Sequence, residues 1–202
     1  MPTQRERREA TIAKLLDASI ATIDEIGYSR ASVKTIATRA GLSYGALFRH
    51  FPTMSDFMAA TAREAVRRQM EAVATRFLEL TAAGGSTDIG NGFRVLREVS
   101  GTPAYHAILE LTMAARTDLF LRSAMQQAML DTVPLMIGLL REVSGRELDL
   151  TDEDLVALTF LVADVFDSEV FQHPLREHHP EISERRIPVM TRMLGQFRRA
   201  VE

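Results

Sequence analysis

The sequence contains no cysteine among its 202 residues. This absence excludes disulfides, zinc sites with thiolate ligands and a catalytic thiol, and it suits the reducing cytoplasm. Long apolar segments are also missing. The longest run, from Leu155 to Ala163, contains Thr159 and stops at Asp164, so it is too short to span a bilayer. The first ten residues are charged, and we expect no secretory signal. The sequence therefore predicts a cytoplasmic protein without a membrane segment.

Charge is distributed unevenly along the chain. Residues 1–70 contain eleven lysines and arginines against seven acidic residues, whereas residues 71–202 contain thirteen against twenty. A basic first third is typical of a protein whose N-terminal part meets nucleic acid. Differences of this size also occur on ordinary solvated surfaces, so the pattern is supporting evidence only. Arg5, Arg7 and Arg8 likewise have two interpretations, a solvated helix start or a flexible basic arm that touches DNA.

Residues 31–51, ASVKTIATRAGLSYGALFRHF, have the pattern of two short helices joined by a tight turn. Three apolar residues between positions 33 and 37 are spaced i, i+3, i+4, as on one buried helix face. Gly41 falls where the chain must turn sharply, and Ser32 and Ser43 are placed to cap the two helices. This is the helix-turn-helix pattern, whose second helix enters the major groove of DNA.

The outward face of the second helix has no carboxylate, so nothing there repels phosphate. Gly45 is a poor helix former, and close approach of the backbone to a ligand is one reason to keep it. Arg49 can reach a phosphate or a guanine edge, and Tyr44 can reach a phosphate or a thymine methyl group. Any amphipathic helix pair with a glycine turn can give this pattern, so the motif alone leaves DNA binding open. The candidate DNA-binding residues are Ser32, Lys34, Ser43, Tyr44, Gly45, Phe48, Arg49 and His50.

Residues 11–58 resemble the N-terminal DNA-binding domain of the tetracycline-repressor (TetR) family of bacterial regulators. The matching segments are IDEIGYSRAS, IATRAGLSYGALFRHF and PTMSDFM. The resemblance implies a ligand pocket among the middle helices and a four-helix dimer interface made by the last two helices of each subunit. Phe48 and Met54 stand where the family usually has Tyr and Lys, which both contact phosphate, and Ala46 stands where Thr is common. The residues at positions 48 and 54 put two contacts to the DNA backbone in question. They do not change the expected way in which the second helix docks on DNA.

The sequence predicts an all-α fold with two domains. Residues 1–52 are expected to form a three-helix DNA-binding domain, and residues 53–202 an antiparallel helical domain for ligand binding and dimerisation. Thr3 and Glu6 predict a capping box at the start of the first helix. The Gly-rich residues 82–92 predict a loop, which a short helix follows.

The last helix, predicted from about Ser183, has an apolar seam with coiled-coil-like spacings of three and four. Such a seam can pack within the chain, but we favour dimerisation, because a groove-reading helix needs a second copy for a two-fold DNA site. The expected interface residues are Ile187, Met190, Leu194, Phe197 and Val201.

No constellation of residues predicts catalysis, a metal site or a cofactor. His173 and Glu177 are spaced for one helix face, but Pro174 between them argues against a helix there. His106 and Glu110 are spaced i, i+4 and predict either a satisfied hydrogen-bonding pair or a polar anchor in a ligand pocket. Met and aromatic side chains suit an adaptable pocket, although they are more often ordinary core. The candidate pocket residues are Phe93, Leu96, Tyr105, His106, Leu109, Glu110, Met113, Met125, Met129, Phe160 and Asp164.

These observations predict a homodimeric, DNA-binding transcriptional regulator rather than an enzyme. Its expected partners are double-stranded DNA, a second copy of itself and a small, mainly apolar effector. We expect it to act as a repressor that the effector releases from a palindromic operator. The alternative is a helical small-molecule-binding protein whose DNA binding is weakened or vestigial.

Overall fold

The computed structural model describes residues 3–82, 89–144, 151–176 and 179–201, and within these ranges it contains no strand. One turn of 3-10 helix, Tyr28–Arg30, separates the first two α-helices. The α-helices are α1 Gln4–Ile26, α2 Val33–Arg39, α3 Tyr44–Phe48, α4 Met54–Ala82, α5 Ile89–Val99, α6 Pro103–Ala115, α7 Leu119–Ser144, α8 Asp152–Arg176 and α9 Pro180–Val201. The predicted all-α class with an N-terminal helix-turn-helix is therefore confirmed.

Side-chain caps account for two of the predicted helix starts. The Thr3 hydroxyl accepts from the Glu6 N–H at 3.2 Å, and the Glu6 carboxylate accepts from the Thr3 N–H at 2.7 Å, which completes the capping box of α1. The Ser32 hydroxyl accepts from the Thr35 N–H at 3.1 Å and caps α2. The predicted side-chain cap at Ser43 is wrong, because its hydroxyl makes no capping hydrogen bond although its backbone is extended.

Three helix bounds differ from the prediction. α5 begins at Ile89, inside the predicted loop, because burial of its apolar side chains outweighs the low helix propensity of glycine. α9 begins at Pro180 rather than near Ser183, since proline fits the first position of a helix, where the N–H has no partner to lose. α8 continues through Pro174 to Arg176, although a proline at this position removes one backbone hydrogen bond of the helix.

Residues Met1–Gln69 and Thr102–Asp131 form one compact unit, which we call unit 1. Within it α1 contacts α2 and α6, and α2 contacts α3. A buried hydrogen bond of 3.0 Å, donated by the Thr61 hydroxyl to the Ser19 hydroxyl, also joins α1 and α4. The core is apolar and wholly enclosed at its centre. Its fully buried large side chains are Leu15, Ile23, Ile36, Leu47, Phe57, Leu111 and Leu121.

Residues Met70–Gly101 and Thr132–Glu202 form a second compact unit, unit 2, in which α5 packs against α8 and α9. One apolar cluster joins α4 and α5 around Phe77 and Val95. A second joins α5, α8 and α9 around Phe93, Phe166 and Ile187. The predicted domain boundary between residues 52 and 53 stays a prediction. Units 1 and 2 are defined by packing, whereas the predicted domains are defined by function. Among the described residues, no helix is both long enough and apolar enough to cross a membrane.

Candidate nucleic-acid interface

The turn between α2 and α3 is built by Gly41, which lies at φ +66°. The Leu42 N–H donates to the Ala37 carbonyl at 2.9 Å, and the Gly41 N–H donates to the Thr38 carbonyl at 3.1 Å. These two bonds form a Schellman motif, which satisfies the free carbonyl groups at the end of α2 and requires a left-handed residue that glycine adopts without strain. Leu42 then packs against the core of unit 1, so the direction in which the chain enters α3 is fixed.

The inner face of the helix-turn-helix is anchored in the core. Ile36 on α2 and Leu47 on α3 are both 0% exposed, which fixes the two short helices against the rest of unit 1. Arg39 ties the end of α2 to α1, because its guanidinium donates to the Ala21 carbonyl at 3.2 Å and forms an ion pair with Glu25. A helix of five residues is not stable alone, so this packing holds α3 in place.

The outer face of α3 is polar and aromatic, and it contains no acidic side chain between residues 41 and 52. Tyr44 is 60% exposed and Phe48 36% exposed, and their ring centroids lie 5.2 Å apart at an interplanar angle of 52°. Ser43 and Arg49 are exposed beside them. The Ser43 hydroxyl, which does not cap its own helix, is suited to donate to a phosphate.

Gly45 has no structural role in the free protein. Its φ is not positive, and a Cβ built on it would meet nothing within 4 Å. Alanine in its place would therefore fit without strain and would favour the helix. An outward glycine with neither steric nor backbone requirements leaves room for another molecule to approach the helix backbone.

Two other candidate DNA-binding residues have contacts within the chain. His50 is half-buried, and its Nδ1 atom is buried with no hydrogen-bond partner among the described residues, so any contact that the ring makes to DNA must use Nε2. The Ser32 hydroxyl lies 2.8 Å from the Thr35 hydroxyl in addition to capping α2, which gives Ser32 a structural role of its own. Lys34 is exposed on α2.

The structure also places the N-terminal arginines and Met54. Arg5, Arg7 and Arg8 lie in the first turns of α1 rather than in a flexible arm, and Arg5 pairs with Glu9 at 2.8 Å. Met54, where a phosphate-contacting Lys is usual, is half-buried against the core of unit 1. An apolar side chain at that position stabilises the start of α4 by packing, in place of a charge that would point to DNA.

The candidate ligand residues are divided between the two units. Leu109 and Met125 are buried in unit 1, where Tyr105 and Met129 are half-buried, and Met113 is 50% exposed. In unit 2, Phe93 is buried and Leu96 is half-buried, whereas Phe160 and Asp164 are exposed. A pocket that includes all of these residues stays a prediction.

His106 and Glu110, the two polar candidates on α6, both make hydrogen bonds within unit 1. His106 Nδ1 lies 2.7 Å from an Asp24 carboxylate oxygen on α1. The Glu110 carboxylate accepts from the Tyr28 N–H at 2.9 Å, beside Gly27, which lies at φ +79°. The two residues are therefore not paired with each other, and each connects α6 to the end of α1 or to the turn after it.

Unit 2 contains a polar cavity of about 190 Å³ that the sequence did not predict. Glu169 accepts from Arg97 at 2.8 Å and from Arg186 at 3.2 Å, which joins α5, α8 and α9. No local spacing indicates this network, because its members are far apart in the chain. The lining residues are Arg97, Glu169, His173, Pro180, Ser183, Glu184 and Arg186. No group of three His, Asp or Glu side chains within the described part of the chain is arranged to hold a metal ion.

Two residues of the predicted α9 seam, Ile187 and Met190, have side chains that the structure describes. Ile187 is 7% exposed and packs with Phe93 and Phe166, and Met190 is half-buried against the same cluster. The side chains of Leu194, Phe197 and Val201 lie outside the described part of the structure. Other apolar residues of α8 and α9 are exposed in the single chain, namely Phe160, Leu161, Phe171, Leu175, Ile182, Val189 and Met193.

Residues 15–61 match the family model described as bacterial regulatory proteins of the tetR family. Rv2912c of Mycobacterium tuberculosis, an uncharacterized HTH-type transcriptional regulator, is 39% identical over 192 residues, which cover 95% of this chain and 96% of that protein. The HTH-type transcriptional regulator BetI of Cronobacter sakazakii is 33% identical over 135 residues, 67% of this chain and 60% of that protein.

Solved structures share the fold at low sequence identity. A transcriptional regulator from Rhodococcus sp. Rha1 has a TM-score of 0.65 at 19% identity, over 92% of this chain and 96% of that one. FadR from Bacillus subtilis, in complex with stearoyl-CoA, has a TM-score of 0.57 at 17% identity, over 80% and 88%. A regulator from Saccharomonospora viridis, in complex with choline, has a TM-score of 0.60 at 16% identity, over 94% and 95%.

Proposed function

Because this chain belongs to the tetR family of bacterial regulatory proteins, and is a transcriptional regulator with a DNA-binding helix-turn-helix, we propose that it acts as a homodimeric repressor. Each subunit would place α3 in the major groove of one half of a palindromic operator. A small, mainly apolar effector would release the dimer from that operator.

The observation that carries this proposal is the outer face of α3. Leu47 anchors the helix, while Tyr44, Phe48 and Arg49 are exposed on a face without carboxylates. Arg49 is the residue best suited to a guanine edge or a phosphate, because its guanidinium donates several hydrogen bonds in a fixed plane. Gly45 leaves the helix backbone open to close approach.

Dimerisation is supported by apolar side chains of α8 and α9 that a single chain leaves in water. Leu175 is 83%, Leu161 62% and Met193 53% exposed. Burying such side chains is favourable by about 25 cal/mol for each Å² of apolar surface removed from water. The interface we propose therefore uses the exposed residues of these helices, since Ile187 is already covered within its own chain.

The effector is proposed to be mainly apolar. The middle helices contain Leu109, Met113, Met125 and Met129, and Met side chains adapt their shape to what they contact. The fold holds stearoyl-CoA in one solved relative and choline in another, so an apolar chain is one of the ligand types it accommodates there. Such an effector would bind more tightly to a conformation of the dimer in which the two α3 helices are wrongly spaced for the operator. The factor by which it prefers that conformation sets the largest factor by which it can lower operator affinity.

One observation favours a second function, a helical ligand-binding protein with weakened DNA binding. Phe48 lacks the hydroxyl, and Met54 the ammonium group, that would contact phosphate. A protein that lost these contacts without replacing them would bind DNA weakly, because contacts to phosphate supply much of the affinity.

Selection from a randomised duplex pool by the purified protein separates the two functions. A homodimeric repressor is expected to enrich a palindrome with half-sites about 10 base pairs apart, centre to centre, or a multiple of this. Compounds that then dissociate the complex would identify the effector class. Weak retention without an enriched sequence would overturn the proposed repressor and favour the second function.

A further inference from the structure

Tyr44 and Phe48 form an apolar patch at the centre of an otherwise polar face. They lie one helical turn apart on α3, with ring centroids 5.2 Å apart and an interplanar angle of 52°. Tyr44 is 60% exposed, and Phe48 is 36% exposed and lies outside the core of unit 1. Two adjoining aromatic rings left in water on a recognition helix indicate that the partner presents an apolar group to them.

The base edges of the major groove offer one such group. Guanine, cytosine and adenine present hydrogen-bond donors and acceptors there, whereas thymine also presents its 5-methyl group. An aromatic ring that covers this methyl removes apolar surface from water on both molecules, and no other base gains in this way. The patch therefore discriminates in favour of thymine.

The two rings have different roles because their positions on the helix differ. Tyr44 is the first residue of α3 and the more exposed, and the base-contacting residues of a recognition helix lie at its N-terminal end. Phe48 is the last residue of α3, and its ring restricts the orientations open to the Tyr44 ring. Without a hydroxyl, Phe48 has no hydrogen bond to offer a phosphate, so its contribution is positioning.

We propose that Tyr44 selects a thymine in each operator half-site through contact with the 5-methyl group, and that Phe48 is the positioning residue for the Tyr44 ring. This inference rests on the proposed DNA-binding function, and it adds the base class that α3 prefers.

Replacement of single thymines by deoxyuridine in the selected operator tests the proposal, because it removes the methyl group and leaves base pairing intact. At the contacted position, each replacement should weaken binding by about fourfold, the factor that corresponds to one buried carbon of this size. Replacement in both half-sites should weaken binding by roughly fifteenfold. Thymines outside the half-sites provide the control and should tolerate the change.

Three variants then assign the effect. Tyr44→Ala should bind the thymine and deoxyuridine operators equally, Tyr44→Phe should retain the preference, and Phe48→Ala should reduce it. Leu119→Ala, which removes an exposed apolar side chain from α7, should leave the preference unchanged.

If the wild type binds its operator tightly but is indifferent to deoxyuridine at every position, the thymine proposal fails while the DNA-binding function stands. A preference that persists in Tyr44→Ala also overturns it. If no duplex is bound with sequence preference, the DNA-binding proposal itself fails.

Discussion

Gly45→Ala should change stability and DNA affinity in opposite directions. In the free protein, the added methyl group would meet nothing within 4 Å, and Gly45 does not use a positive φ. Alanine in a helix is favoured over glycine by about 0.5–1 kcal/mol, which corresponds to a rise in Tm of roughly 1–4 °C for a chain of this size. In the complex, the same methyl group would lie between the helix backbone and the DNA. We expect operator affinity to fall by roughly 5- to 150-fold, which corresponds to the range of about 1–3 kcal/mol that one lost base contact costs.

Thermal unfolding and fluorescence anisotropy with a labelled operator measure the two effects on the same preparation. Gly138→Ala is the matched control, because Gly138 is also helical, exposed and free of neighbours at its Cβ position. It should raise Tm similarly and leave DNA affinity unchanged. If Gly45→Ala binds the operator as tightly as the wild type, close approach of DNA to this part of α3 is refuted.

Three further predictions concern affinity, assembly and pH. Arg49→Ala should weaken operator binding at least tenfold without dissociating the dimer, and an unchanged anisotropy titration would remove Arg49 from the interface. Met193→Glu should yield monomers in analytical ultracentrifugation, whereas Leu78→Glu, an exposed apolar residue of α4, should not; a stable Met193→Glu dimer would exclude this face of α9. Hydrogen bonds from Arg67, and from Arg68 against the opposing effect of burial, hold the pKa of Glu64 below its usual value. This stabilisation is complete above the unfolded pKa of about 4.3 and is lost as the pH falls through the lower folded pKa. Glu64→Gln should therefore lower Tm at pH 7, and this difference in Tm from the wild type should shrink below about pH 4.3. An equal difference at pH 7 and below about pH 4.3 would contradict this role of Glu64.

The helix-turn-helix could be predicted because its signals are local. The cap at Ser32, the turn at Gly41 and the apolar spacing around Ile36 each depend on residues within one or two helical turns. Ser43 is the exception. Its backbone has the conformation of a capping residue, but its hydroxyl makes no capping bond, and no local pattern distinguishes the two cases.

Contacts between distant residues could not be predicted in this way. His106 and Glu110 are spaced as a pair on one helix face, yet the structure pairs them with Asp24 and with the backbone of Tyr28. Ile187 belongs to an apolar seam whose spacing is compatible both with dimerisation and with packing inside the chain. The structure shows that Ile187 is buried within the chain, because it packs with Phe93 of α5. Helical periodicity identifies an apolar face but not the surface that covers it.

The ratio of affinities for the selected operator and for a shuffled duplex of the same composition, measured at physiological salt, tests the central claim most directly. A dimeric reader of sequence should bind its operator about 10³-fold or more tightly than the shuffled duplex. Equal affinity for the two duplexes, falling steeply with salt, would mean that the protein contacts only phosphate and would contradict the account.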